Sequence, residues 1–219
     1  MPETEAPTGN APGFFGKLPS HGDFVSRRLP TELLAGWEAW LDTGLQHSRD
    51  SLGDAWLQMY LSSPIWCFSA SADCCGAQPF AGVLMPSLDR VGRYYSLSIV
   101  APFDAERSAA EIASGETDWF ARMEEIALSC LGDDFDFAAF DAALAAELLP
   151  RADSKKAGLE MPCPASGPSG ALPILLGRLL QQSAARYSLW WTSGSTTMAA
   201  CCRAFRGLPP VEEFCRLLR

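Results

Sequence analysis

Histidine is scarce in this chain. His21 and His47 are the two among 219 residues, so any mechanism that needs an imidazole base must run through one of them. His21 has Ser20 before it and Asp23 two positions on, the residue types of a nucleophile, a base and a carboxylate that orients the base. A small hydrolase using Ser20, His21 and Asp23 is therefore one reading. Against it, close neighbours along a chain seldom converge as a triad requires, and no G-x-S-x-G elbow is present. Ser20 and Asp23 bonding nearby backbone in a turn is the simpler reading, and Ser20, His21 and Asp23 are taken as candidate interaction residues rather than catalytic ones. His47 follows a helical stripe and reads as a surface residue.

The other reactive types are no better arranged. Eight cysteines lie at 67, 74, 75, 130, 163, 201, 202 and 215, without one C-x-x-C. Adjacent Cα atoms are about 3.8 Å apart, short of a relaxed disulfide, and on a strand the two side chains point to opposite faces. Cys74 with Cys75 and Cys201 with Cys202 therefore read as reduced, small core residues, with a thiol or metal sensor as the competing reading. Asp133, Asp134 and Asp136 lack the Gly and distal Glu of a calcium loop and suit a helix N-terminus. Neither G-x-x-x-x-G-K-[ST] nor G-x-G-x-x-G occurs, so nucleotide binding has no local support. No cofactor is called for.

The elements that would position these residues centre on FAGVLMPSLDRVGRYYSLSIVAPF, from Phe80 to Phe103, which reads as a β-hairpin. Its first arm is wholly apolar to Met85, as in a strand covered on both faces. The returning arm alternates, with Tyr95, Leu97 and Ile99 on one side and Tyr94, Ser96 and Ser98 on the other. The link is expected to expose Asp89, Arg90 and Arg93, as a solvated hairpin tip with an internal ion pair or, alternatively, as a charged docking loop. Upstream, Gly13 to Arg28 reads as two short extended pieces around Ser20, His21 and Asp23. Thr31 is the expected cap of a helix carrying Leu33, Trp37, Leu41 and Leu45. A shorter helix runs from Asp54 to Leu61, with Trp56, Leu57 and Tyr60 on one face, before a strand at Ile65 to Ala70.

Downstream, Thr117 or Asp118 can cap a helix through Cys130, and another carries Phe137, Phe140, Leu144 and Leu148. A Pro-, Gly- and Ser-rich loop at 151–170 precedes a helix from Leu172. A strand at Ser188 to Thr192 is expected to return over Thr196 to Cys202, and Pro209 and Pro210 open a closing helix. Trp190 and Trp191 point to opposite faces of their strand, one for the core and one for a helix or partner, and Trp190 is taken as a candidate contact residue. This order gives an α+β domain, an antiparallel or mixed sheet flanked by helices, over residues 13–219 after a mobile tail at 1–12.

With 17 basic against 26 acidic residues the net charge is −9, and no Lys/Arg cluster stands out. A nucleic-acid groove or an anionic-lipid patch is disfavoured, whereas docking to a basic protein surface is compatible. No apolar run is long enough to insert in a membrane, and the acidic, Pro-rich start MPETEAPTGNAP has no secretory character, so a cytoplasmic protein is expected.

GFFGKLPSHGDFVSRRLP, LGDAWLQMYLSSPIW, VLMPSLDRVGRYYSL, and SLWWTSGS followed by CRAFRGLPPVEEF resemble, in that order, the TagF family of type VI secretion-associated proteins, also called ImpM. The resemblance spans most of residues 13–214. It departs at Tyr95 and Ser96, where the family often has Phe and Pro, and at Ser193, where an acidic residue is common. It implies a longin-like sheet with flanking helices. It also implies a non-enzymatic cytoplasmic regulator that restrains type VI secretion after translation, with the forkhead-associated scaffold protein of that system as partner.

Overall fold

WCFSA at Trp66–Ala70 and FAGVLM at Phe80–Met85 are each buried at every residue. A sheet whose central strands are apolar on both faces has to be covered on both. The computed structural model describes residues 11–149 and 186–218. In chain order they form β1 (Gly13–Gly16), β2 (Val25–Arg27), α1 (Thr31–Leu52), α2 (Trp56–Ser62), β3 (Trp66–Ala70), β4 (Phe80–Met85), β5 (Leu97–Pro102), α3 (Ala109–Gly115), α4 (Thr117–Ser129), α5 (Phe137–Ala146), β6 (Tyr187–Thr192), β7 (Cys201–Arg206) and α6 (Val211–Leu217). The strands pair antiparallel throughout, in the order β2-β1-β5-β4-β3-β6-β7. The expected hairpin is thus present, and β4 is the middle strand of the seven described.

One face of the sheet carries α1, α2 and α6. There Trp37 and Leu41 of α1, Tyr60 of α2 and Phe214 of α6 pack with Phe68, Phe80, Val100 and Trp190. The other face carries α3, α4 and α5, whose Ile112, Phe120, Met123 and Phe140 meet Phe14, Val83, Leu97 and Ile99. Trp37 is the pivot of the first layer. Its ring stacks on Phe68 at 4.6 Å, lies parallel to Trp190 at 6.2 Å and meets Phe80 edge-on at 5.8 Å. Its indole N–H donates to Ser98 Oγ at 2.9 Å.

That bond explains where the alternating pattern misleads. Ser98 and Ser96, which the alternation places on the side away from Leu97 and Ile99, are both buried, and Ser98 lies under α1 as the acceptor for a core tryptophan. A hydroxyl that finds a partner is tolerated inside. Tyr95 precedes the strand proper and packs in the layer opposite Leu97 and Ile99, because the backbone there is irregular and breaks the two-residue phase.

Smaller differences follow the same logic. The first helix begins at Thr31 with Pro30 at the cap position and no side-chain cap, since the fixed proline φ already suits that entry. Leu57 is exposed, whereas Trp56 and Tyr60 are buried. The partner of β6 begins at Cys201, so the expected return at Thr196 is late by several residues, with Gly194 at positive φ in the intervening turn. Helix α3 is an addition, announced by Ser108 and Glu111, which form a reciprocal capping box. Asp136 caps α5 by accepting from the Ala139 N–H at 2.6 Å, as the acidic cluster predicts. The expected loop at 151–170 and the helix expected from Leu172 to about Arg186 lie outside the described residues, which resume at Arg186.

Candidate functional site

Strand pairing places the two most polar loops side by side. Gly16, the last residue of β1, is opposite Leu97, the first of β5. The loop leaving β1 and the loop entering β5 therefore share one end of the sheet. They are residues 17–24, with Ser20, His21 and Asp23, and residues 86–96, with Asp89, Arg90 and Arg93. The approach is close: a Cβ on Gly16, which has φ +139°, would stand 2.1 Å from the Ser96 carbonyl.

Hydrogen bonds join the loops along their length. Ser87 Oγ donates to the Lys17 carbonyl at 2.8 Å, and the Arg90 N–H donates to the His21 carbonyl at 2.8 Å. The Arg93 guanidinium reaches the Gly22 carbonyl. From α2 below, the Tyr60 hydroxyl donates to the Ser87 carbonyl at 2.9 Å and accepts from the Ser87 N–H at 2.8 Å.

Asp89 is the centre of this latch. Its carboxylate meets Lys17 Nζ at 3.0 Å and Arg93 Nε at 2.6 Å, and accepts the backbone N–H groups of Val91 and Arg93 at 3.0 and 2.9 Å. Burial by itself would raise this carboxyl. The hydrogen bonds from the Arg93 backbone, Lys17, the Arg93 side chain and the Val91 backbone outweigh it and hold the group well below the usual carboxylate range. The expectation of an exposed Asp89 is thus corrected: it is 1% exposed, because an ionised carboxylate with this many donors is better satisfied inside the turn than outside it. Arg90 and Arg93 do face solvent.

Ser20, His21 and Asp23 are brought to the surface without forming a triad. Ser20 Oγ and His21 Nδ1 share a hydrogen bond of 2.8 Å, but Asp23 Oδ1 accepts from the Phe24 N–H at 2.8 Å and not from the imidazole. The His21 ring rests on Phe137 of α5 at 4.4 Å. Burial, then the positive charges of Arg27 and Arg90, lower the His21 pKa. The hydrolase reading loses its orienting carboxylate, and the turn reading accounts for Asp23. Trp190 is also corrected as a contact residue. It is fully buried, with its N–H on Ser188 Oγ at 2.9 Å, while Trp191 meets Phe120 of α4 edge-on at 4.6 Å. The strand's two faces separate the pair, and both turn out to be covered by helices.

Beside the latch lies an open groove of about 710 Å³. Asp42, Gln46 and Arg49 of α1 form one bank, Phe24, Arg93 and Tyr94 of the loops the other, and Trp56 of α2 lines it with them. Tyr95 Oη donates to Asp42 Oδ1 at 2.9 Å. Arg49 lies over the Trp56 ring at 4.5 Å and donates to the Tyr94 carbonyl at 3.0 Å. Reading the sequence misses this groove. Its one local trace is the exposed face of α1, on which Asp42, Gln46 and Arg49 recur at helical spacing.

Among the described residues, no group of three or more His, Cys, Asp or Glu could hold a metal ion. The described cysteines are unbridged. Burial, then the neighbouring Cys74, pushes the Cys75 thiol up to about 12, far from the thiolate that redox or metal chemistry needs. No described helix is long and apolar enough to cross a membrane.

Comparison with known proteins agrees with this architecture. The family model described as TagF N-terminal domain, type VI secretion system-associated, matches residues 13–147. The crystal structure of PA0076 from Pseudomonas aeruginosa PAO1 superposes with a TM-score of 0.81 at 36% identity, covering 95% of this chain and 94% of that one. No curated protein matches the chain. Both latched loops fall inside the matched span, and on this sequence and structural correspondence the chain belongs to the TagF family of type VI secretion system-associated proteins.

Proposed function

We propose that the protein is a non-enzymatic, cytoplasmic regulator that restrains type VI secretion after translation by binding the forkhead-associated scaffold protein of that system. The observation that carries the reading is the latch. Asp89 binds Arg93 of its own loop and Lys17 of the other, across loops of different strand pairs, and the Arg90 and His21 backbones join the same loops. Loops fixed in this way present polar groups to a partner with little ordering cost on binding. The same loops carry the motif residues Ser20, His21 and Asp23, which do not assemble a base and its orienter. A docking role uses both facts.

The test is retention of the purified scaffold by immobilised wild-type protein, with a secretion assay in cells lacking and then regaining the protein. Retention, together with effector release that rises on deletion, supports the proposal. A wild-type protein that retains no scaffold, or a deletion that leaves secretion unchanged, removes it. Arg90→Glu, on the exposed side of the latch, is expected to weaken retention without unfolding the protein.

A further inference from the structure

We infer that the groove between α1 and the latched loops is the seat of an acidic segment of the partner protein, with Arg49 as the residue that receives its carboxylate. This rests on the reading above that the protein acts by docking, and it places the contact and fixes its sign.

The sign is the opposite of what net charge would indicate. The chain is acidic overall, and most described arginines near carboxylates are spent on them: Arg28 on Asp141, Arg107 on Glu116, Arg122 on Glu125 and Glu147, and Arg216 on Glu213. Arg49 makes no ion pair among the described residues, although acids stand near it on its own helix. Asp42 is engaged by the Tyr95 hydroxyl, and Asp50 takes the Gln46 amide at 2.9 Å.

Arg49 is nevertheless held in position. Its guanidinium lies on the Trp56 ring at 4.5 Å, and one nitrogen donates to the Tyr94 carbonyl at 3.0 Å. Both contacts orient the plane without neutralising the charge, so the fork keeps further donors for an incoming oxygen pair. An exposed arginine would otherwise lose side-chain freedom on meeting an anion, and here part of that cost is met before binding. Arg93 lines the same groove, with its side chain 59% exposed.

The rest of the groove specifies what accompanies the acid. Phe24, 37% exposed, and the half-buried Tyr94 ring offer apolar area within reach of Arg49. Asp42 places a negative charge about two helical turns from Arg49 on the same helix. A segment with an acidic side chain at the Arg49 end and apolar side chains over the rings satisfies both, and a segment acidic along its whole length is penalised by Asp42.

The experiment measures scaffold affinity for wild type, Arg49→Gln, Arg49→Glu and Arg49→Lys, with Arg122→Glu as a charge-matched change on the opposite face of the sheet. Unfolding midpoints confirm that each variant is folded. The expected result is a loss of about tenfold or more for Arg49→Gln, a larger loss for Arg49→Glu, an intermediate one for Arg49→Lys, and no change for Arg122→Glu. Affinity should fall with added salt and survive phosphatase treatment of the scaffold. Wild-type binding that Arg49→Glu leaves intact overturns the groove and spares the proposed function, and loss on phosphatase treatment assigns the anion to a phosphate and overturns the carboxylate. If wild type binds no scaffold, a short fluorescein-labelled peptide with a pair of glutamates at one end and leucine and serine over the rest decides the groove alone. Anisotropy that rises with wild type and Arg122→Glu but not with Arg49→Glu upholds it, and equal behaviour of all three, or no rise with wild type, ends it.

Discussion

Lys17 Nζ lies 3.0 Å from Asp89 Oδ2, and the two side chains are 7% and 0% exposed, so one buried ion pair ties the loop after β1 to the loop before β5. Removing one partner of such a pair leaves the other charge buried without compensation, which costs far more than the pair itself contributes.

Asp89→Asn should therefore lower the urea midpoint at neutral pH. The folded-state pKa of Asp89 lies below its unfolded value of about 3.9. Its contribution is fully present above that value and is lost as pH falls through the lower, folded-state pKa. The gap in stability between wild type and Asp89→Asn should accordingly be constant near neutrality and close in acid below about pH 4. A gap that persists unchanged into strong acid would mean that Asp89 carries no charge in the fold.

Tyr60→Phe should destabilise by about 1–3 kcal/mol, because the lost hydroxyl both receives and supplies a hydrogen bond at Ser87 and leaves a buried N–H unpaired. Leu57→Ser, on the same helix but 40% exposed, should stay within about 0.5 kcal/mol of wild type. Denaturant titration of both variants checks the contrast.

Trp190→Ala should cost about 3–5 kcal/mol, the range for emptying a large buried aromatic site. Trp37→Phe should cost about 1–3 kcal/mol, through the lost N–H bond to Ser98 and some packing. Where either variant remains folded, scaffold affinity should match wild type. A direct binding role for Trp190 would reverse that pattern.

The His21 imidazole should titrate below the ordinary value of about 6.5, followed by its ring proton shifts. Since burial and two arginines favour the neutral ring, its contribution to stability is present above about pH 6.5 and declines as pH falls through the lowered value. Arg90→Ala should raise the midpoint without restoring it fully, because burial is the larger cause. A midpoint that does not move would mean that Arg90 is not felt at the ring.

Ser20→Ala should leave scaffold retention and restraint of secretion at wild-type levels. Among the described residues its hydroxyl bonds the adjacent ring alone, and Asp23 is turned to the backbone. Loss of restraint in a folded Ser20→Ala protein that still retains the scaffold would reopen the question of catalysis.

The elements of the fold were legible wherever one local rule dominated. The apolar arm Phe80–Met85, bounded by Pro86, fits a strand covered on both sides, and Leu33, Trp37, Leu41 and Leu45 recur at the spacing of a buried helical stripe. The capping box at Ser108 and Glu111 was also there to be read, as an S-x-x-E pattern. Family membership was legible too, from four motifs in order.

Tertiary structure alone decided which polar residues are inside. Ser98 is buried because a tryptophan of α1 needs an acceptor there, and Asp89 is closed in because Lys17, 72 positions earlier, joins the local donors of Val91 and Arg93 once β1 pairs with β5. The same pairing, with α1 and α2 packed against it, creates the groove that holds Arg49. Local sequence sets periodicity and turns, which depend on neighbours a few residues away. Burial of a charge depends on the partner that long-range pairing delivers, and nothing in the few residues around Asp89 or Arg49 encodes that partner.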